Sequence, residues 1–191
     1  MISKKGKCLI VCAPSGAGKT TIVRHLLKKF PSLSFSVSAT SREPRKNETP
    51  GIHYHYISVE EFKKKIESEE FVEWEEVYTD QFYGTLKSEI DTIWSKGHHV
   101  IFDVDVEGGV TLKNTFGENA LALFVRPPSL DVLEERLRAR GTESEESLAK
   151  RLSKAEKELT YELKFDTTVI NDELSLACKD AEKKVEQFFR V

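Results

Sequence analysis

The sequence predicts an α/β domain built on a parallel sheet with helices on both faces. Three short apolar runs, Cys8–Cys12, 99–104 and 121–125, are each followed by residues at helical spacing. Continuous apolar runs of this length are typical of strands buried on both faces of a sheet. Because strands alternate with helices, we expect the strands to be parallel and the helices to cross over the sheet.

Length and composition limit the classes of protein to consider. The chain has 191 residues, which suits one domain with small insertions. Its net charge of −3 lacks the basic excess usual in nucleic-acid-binding proteins. The N-terminal apolar run is too short for a signal peptide or a membrane span. We expect a cytoplasmic protein that binds neither nucleic acid nor membranes, as a monomer or a homo-oligomer.

Two segments interrupt the core pattern without forming separate domains. Residues 34–85 contain short strand-like runs around a helix at about 59–69, which predicts a small β-rich insertion. Residues 136–157 are helical and rich in arginine. The predicted core of this single domain, 1–191, comprises 1–33, 86–135 and 158–191.

The connection between the first strand and the first helix carries a phosphate-binding motif. It reads Ala13-Pro14-Ser15-Gly16-Ala17-Gly18-Lys19-Thr20 and matches the P-loop pattern except at Ala13, where glycine is usual. In such loops, backbone N–H groups and the helix N-terminus bind phosphate oxygens. Lys19 would reach the β- and γ-phosphates, and Thr20 would place a hydroxyl on Mg²⁺. The motif therefore predicts a P-loop NTPase type of sheet; an ordinary glycine-rich turn is the alternative.

Further motifs follow in order along most of the chain. They are 36–45 (SVSATSREPR), Gly51, Tyr54, Phe62, 73–74 (EW), 83–85 (YGT), 103–105 (DVD), 140–143 (RGTE) and 150–152 (KRL). With these motifs the chain resembles the guanylate kinase family. The resemblance implies transfer of the ATP γ-phosphoryl group to GMP, with Mg²⁺ as cofactor, in purine nucleotide metabolism.

The resemblance also implies a site for GMP in the β-rich insertion. The GMP phosphate would be held by Arg42, Arg45, Tyr54 and Tyr83, and the guanine base by Ser38, Glu73, Thr85 and Asp105. These residue types suit the chemistry, because guanidinium groups form paired hydrogen bonds with phosphate. A carboxylate such as Glu73 can accept from both N1–H and N2–H of guanine, groups that adenine lacks.

The remaining positions concern catalysis and ATP. The resemblance implies that 136–157 is a mobile lid and that Lys19, Arg42, Arg140 and Arg151 surround the transferred phosphoryl group. Arg136 would also reach the ATP phosphates, and Asn171 would help to bind adenine. Exposed ion pairs with Glu134, Glu135 or Asp131 are the preferred interpretation for Arg138, on the same predicted helix.

Two aspartates close the apolar run 99–104. Asp103 ends this run, the usual placement of an acid that holds Mg²⁺ directly or through water, so we expect it to join Thr20 at the metal. Asp105, two residues later, is expected on the same side of a strand and is assigned to guanine.

Two other functions compete with this interpretation. The chain could phosphorylate another nucleoside monophosphate, although Ser38, Glu73 and Asp105 favour guanine. It could also be a non-catalytic binding module of the same family, although Lys19, Arg140 and Arg151 favour catalysis. Taken without the family pattern, Arg42 and Arg45 would be interpreted as part of a solvated loop.

Overall fold

A computed structural model describes residues 6–139 and 145–190. In chain order, its strands are β1 (Cys8–Cys12), β2 (Leu33–Phe35), β3 (Ala39–Thr40), β4 (His55–Tyr56), β5 (Phe71–Tyr78), β6 (Gln81–Leu86), β7 (His99–Asp103), β8 (Ala120–Arg126) and β9 (Thr167–Ile170). Its α-helices are α1 (Lys19–Lys29), α2 (Val59–Glu67), α3 (Lys87–Ser95), α4 (Val106–Phe116), α5 (Leu130–Ala139), α6 (Glu145–Leu159) and α7 (Leu174–Arg190).

The larger sheet has five parallel strands in the order β2-β7-β1-β8-β9. The central strand β1 is buried along its whole length, as its unbroken apolar sequence predicted. Val11 of β1 pairs with Asp103 of β7, so the loop after β1 and the end of β7 emerge at one edge of the sheet. The predicted parallel sheet flanked by helices is confirmed.

Helices cover both faces of this sheet. Leu9 and Val11 pack with α1 and α7 on one face, while Cys8 and Ile10 pack with α3 and α4 on the other. This division follows from the alternation of side chains along a strand. The sheet is thus a rigid support whose upper edge, where the strands end, is free to carry loops.

A second, four-stranded sheet lies between β2 and α3 along the chain, in the order β4-β3-β6-β5. Helix α2 covers one side of it, where Phe62 stacks on Phe71 and Phe82 with ring centroids 4.3 and 5.3 Å apart. Ser34 and Phe35, at the start of the predicted insertion, belong instead to β2 in the larger sheet.

The expectation that Asp103 and Asp105 share one strand is wrong. Strand β7 ends at Asp103, and Asp105 is the N-cap of α4. Its carboxylate accepts a hydrogen bond from the backbone N–H of Gly108 at 2.8 Å, an arrangement that aspartate favours at helix starts.

No helix in the described part of the chain is long and apolar enough to cross a membrane.

Candidate active site

The phosphate loop, residues 13–20, joins β1 to α1 in a tight turn. Gly16 and Gly18 have φ values of +97° and +94°, a left-handed region that favours glycine. The N–H of Ala17 donates to the carbonyl of Pro14 at 3.0 Å and so closes the turn. The first turn of α1 carries no acidic residue, which leaves its positive end available to an anion.

The alanine that opens the loop fits its position without strain. Ala13 is buried, and it does not have a positive φ: among residues 6–139 and 145–190, only Glu69 and Asp80 are non-glycine residues with positive φ. Glycine is therefore not required at this position by the backbone conformation.

Lys19 and Thr20 meet Asp103 at the base of the loop. The Nζ of Lys19 lies 2.8 Å from Oδ1 of Asp103 and donates to the carbonyl of Val104 at 2.6 Å. The hydroxyl of Thr20 donates to Oδ2 of Asp103 at 3.3 Å. The three residues predicted to act on ATP phosphates and metal are therefore together.

Asn171, just after β9, supports this loop and is itself held by Arg136 of α5. The Nδ2 of Asn171 donates to the carbonyl of Ala17 at 2.7 Å, and Nη1 of Arg136 donates to the carbonyl of Asn171 at 2.8 Å. Asn171 is 5% exposed, and its Oδ1 has no hydrogen-bond partner among the described residues. Asn171 therefore adjoins the loop and Arg136 adjoins Asn171; the contact of both residues with ATP stays a prediction.

Across the cleft, Arg42 is held among aromatic rings of the smaller sheet. Its Nε donates to the hydroxyl of Tyr83 at 2.8 Å. Its guanidinium carbon lies 5.0 Å from the centroid of the Tyr54 ring, within cation–π range. Arg42, Tyr54 and Tyr83, predicted to bind one phosphate, therefore form one cluster.

Glu48, which sequence reasoning did not identify, orients this cluster. Its two carboxylate oxygens accept from Nη1 and Nη2 of Arg42 at 2.6 and 2.7 Å. Oε2 of Glu48 also accepts from the backbone N–H of Arg45 and the hydroxyl of Tyr56, both at 2.8 Å. These bonds, above all those from Arg42, hold the pKa of Glu48 well below its usual range. The only sequence signal was an acid close to two arginines.

The Arg42 cluster lies at one end of a second pocket, opposite the phosphate loop, and the other end of this pocket is acidic. The hydroxyl of Thr85 donates to Oε1 of Glu73 at 2.5 Å, and the two residues pair across β5 and β6. Burial raises the pKa of Glu73. A Cβ placed at Gly108 would lie 3.3 Å from both Oε2 of Glu73 and Oδ1 of Asp105, so these two carboxyl groups converge. Ser38 lines the same cleft.

Glu75, also missed by sequence reasoning, faces this acidic end. Its carboxyl group donates a hydrogen bond to the Asp105 carboxylate, and this bond together with burial raises the pKa of Glu75 to about 7. Burial alone would raise the pKa of Asp105, but the bonds from Glu75 and from the Gly108 N–H bring it below its usual value. Glu75 follows Glu73 at strand period two, which was the available signal.

The segment predicted as a lid is described in part. Arg140 lies outside the described residues. Arg151 lies half-buried on α6. On the same helix, Lys154 and Glu158 line the cleft. Arg138 forms exposed ion pairs with Glu134 and Glu145.

The phosphate loop and the second pocket face one another across a single cleft of about 760 Å³. A triphosphate site opposite a second, arginine-bearing nucleotide pocket defines a phosphotransferase of the P-loop nucleoside monophosphate kinase class.

Comparison with known proteins narrows this class. A family model described as guanylate kinase matches residues 5–188. Guanylate kinase of Bacteroides fragilis is 47% identical over 187 residues, covering 98% of this chain and 92% of that protein. Guanylate kinase of Porphyromonas gingivalis is 48% identical over 183 residues, covering 95% and 97%. The chain belongs to the guanylate kinase family.

A solved structure agrees at the level of the fold. The guanylate kinase from Anaplasma phagocytophilum superposes with a TM-score of 0.72 at 24% identity, covering 99% of this chain and 87% of that one.

Proposed function

We propose that the protein transfers the γ-phosphoryl group of ATP to GMP, with Mg²⁺, and forms ADP and GDP. The observation that carries the proposal is the polarity of the second pocket: Arg42 and Tyr83 lie at one end and Glu73 with Thr85 at the other. This matches a nucleotide with an anionic phosphate and a base edge rich in N–H donors.

Guanine is the base that suits the acidic end. The Glu73 carboxylate accepts from Thr85 through one oxygen and keeps lone pairs for N1–H and N2–H of guanine. Adenine would place the acceptor N1 against this half-buried carboxyl group and leave it without a donor. Such a loss costs about 1–3 kcal/mol for a neutral group and more for a charged one. Neither uracil nor cytosine presents this pair of adjacent donors.

Transfer requires little covalent chemistry from the protein, so position and charge dominate. Lys19 would exchange its contact with Asp103 for the β- and γ-phosphates of ATP. Arg42 and Arg45 would neutralise the acceptor phosphate and hold its oxygen in line with the γ-phosphorus. Arg140 and Arg151 would add charge from the lid segment 136–157, which would also exclude water.

Thr20 and Asp103 would hold the metal ion. Mg²⁺ prefers oxygen ligands and usually takes few from the protein when a nucleotide supplies the rest. The Thr20 hydroxyl and the Asp103 carboxylate are 3.3 Å apart, which suits one coordination sphere. Mg²⁺ bound with ATP neutralises charge on the β- and γ-phosphates. A chelator is therefore expected to abolish turnover.

The three cysteines bear on the compartment. Cys8, Cys12 and Cys178 are free and buried, which favours a reducing compartment such as the cytoplasm.

A coupled assay of ADP formation tests the function, with ATP, Mg²⁺ and GMP, AMP, UMP or CMP as acceptor. We expect turnover with GMP alone and its loss in Lys19→Met, with GMP binding retained. Turnover with AMP or UMP would refute the assignment of the base. A folded protein that binds GMP but forms no ADP with any acceptor would favour the non-catalytic binding module.

A further inference from the structure

Glu75 lies between the two ends of the second pocket. Glu73 and Glu75 are on the same face of β5 and both line the cleft. Their partners across the ladder are Thr85 and Tyr83, respectively. Thr85 binds Glu73 at the base end, whereas Tyr83 binds Arg42 at the phosphate end. The two cross-strand pairs are about 7 Å apart along the strands, which leaves the place of the sugar beside Glu75.

The opposite wall of the pocket gives a second indication. The Glu75 carboxyl group is hydrogen-bonded to that of Asp105. By resemblance, Asp105 faces guanine, whose 2-amino group lies on the edge that the ribose 2′-hydroxyl also borders. A side chain beside Asp105 and nearer the phosphate end therefore lies on the 2′ side of the sugar.

Glu75 also has free hydrogen-bonding capacity. One oxygen of Asp105 already accepts from the Gly108 N–H as the cap of α4. A carboxyl group has two oxygens with several lone pairs, so the bond between Glu75 and Asp105 leaves Glu75 able to accept from a hydroxyl.

We propose that Glu75 accepts a hydrogen bond from the 2′-hydroxyl of the acceptor nucleotide and so favours a ribonucleotide over its 2′-deoxy analogue. This inference rests on the proposed function, because it places GMP with its base at Glu73 and its phosphate at Arg42. Glu75 is thus a specificity residue for the sugar, separate from the residues that select the base.

Steady-state kinetics with GMP, dGMP and 3′-deoxy-GMP test this role. The wild-type protein is expected to prefer GMP over dGMP in kcat/KM by roughly three- to tenfold, which corresponds to the loss of one hydrogen bond to the Glu75 carboxyl group. Glu75→Ala should abolish that preference through a higher KM for GMP. The same variant should lower kcat/KM for 3′-deoxy-GMP, which keeps the 2′-hydroxyl, and should leave kcat/KM for dGMP unchanged. The ratio of kcat/KM for dGMP to that for 3′-deoxy-GMP should therefore rise.

Two further variants complete the experiment. Glu76→Gln is the matched control, because Glu76 is exposed on the opposite face of β5 and its carboxylate accepts from the Asp80 N–H; this variant should keep the wild-type preference. Glu75→Gln keeps the size and an acceptor oxygen, so it should fold and retain part of the preference.

The outcomes separate the two proposals. Equal use of GMP and dGMP by the wild type, or an unchanged preference in folded Glu75→Ala and Glu75→Gln, would overturn the role of Glu75 while the kinase activity stands. A wild type that neither binds nor phosphorylates GMP would refute the proposed function and this inference with it.

Discussion

The carboxylate of Glu158 accepts a hydrogen bond from the backbone N–H of Ser15 at 3.3 Å, and so joins the end of α6 to the phosphate loop. Glu158 is 6% exposed, and Lys154, one turn earlier on α6, lies 3.8 Å away. The helix that carries Arg151 is therefore tied to the loop expected to bind ATP.

Glu158→Gln is expected to stabilise the free protein more at pH 8 than at pH 5. Burial raises the pKa of Glu158 in the folded state, so the folded protein binds more protons than the unfolded chain between the two pKa values. Stability from this group is present below the unfolded pKa and lost as pH rises through the folded one. Thermal denaturation at both pH values measures the difference. Glu156→Gln, exposed on α6, is the control; an equal shift at both pH values would contradict the prediction.

Glu73→Gln should lower kcat/KM for GMP by about 100-fold, equivalent to roughly 3 kcal/mol. A glutamine has only one acceptor oxygen. If that oxygen accepts from Thr85, the N–H₂ group faces the guanine N–H donors; if it faces guanine, the bond from Thr85 is lost. Steady-state kinetics with GMP and AMP measure the effect, and Glu76→Gln on the opposite face of β5 serves as the control. If kcat/KM for GMP in this variant lay within twofold of the wild-type value, Glu73 would not take part in base recognition.

Glu48→Gln should raise the KM for GMP by about tenfold with little change in kcat. The neutral amide cannot form the paired, charge-assisted bonds that orient Arg42. Kinetics at varied GMP concentration separate the two constants, with Glu43→Gln in the same loop as the control. A lower KM would instead show that Glu48 competes with the substrate phosphate for Arg42.

Gly18→Ala should raise the KM for ATP by at least tenfold, whereas Ala13→Gly should leave it within about twofold of wild type. At Gly18, φ is +94° and an added Cβ would lie 2.3 Å from Nδ2 of Asn171, so the loop and its support must move. Ala13 has no such constraint. Titration of ATP at saturating GMP measures both variants. Equal effects at the two positions would show that the backbone conformation of the loop does not govern ATP binding.

Local patterns account for what the sequence predicted well. The strand Cys8–Cys12, the loop after it and Lys19 are each encoded within a few residues, and Asp103 follows from the end of an apolar run. The prediction for Asp105 was wrong because the strand ends two residues earlier, at Asp103, and an aspartate after an apolar run can equally well cap the next helix. The bond to Gly108 decides between them.

Contacts between distant segments could not be predicted in this way. The proposed role of Glu75 depends on the register of β5 against β6 and on the approach of Asp105 from the start of α4. The role of Glu48 depends on how a turn folds Arg42 back onto it. Periodicity describes which face a side chain takes, but not which partner that face meets.

The four-stranded sheet is joined to the five-stranded one through only two chain connections, between β2 and β3 and between β6 and α3. Most of the residues proposed to select the acceptor therefore lie in one insertion of the chain, and Asp105 at the start of α4 is the exception. Under the proposed function, substitutions within this insertion can change the acceptor while the phosphate loop keeps its sequence.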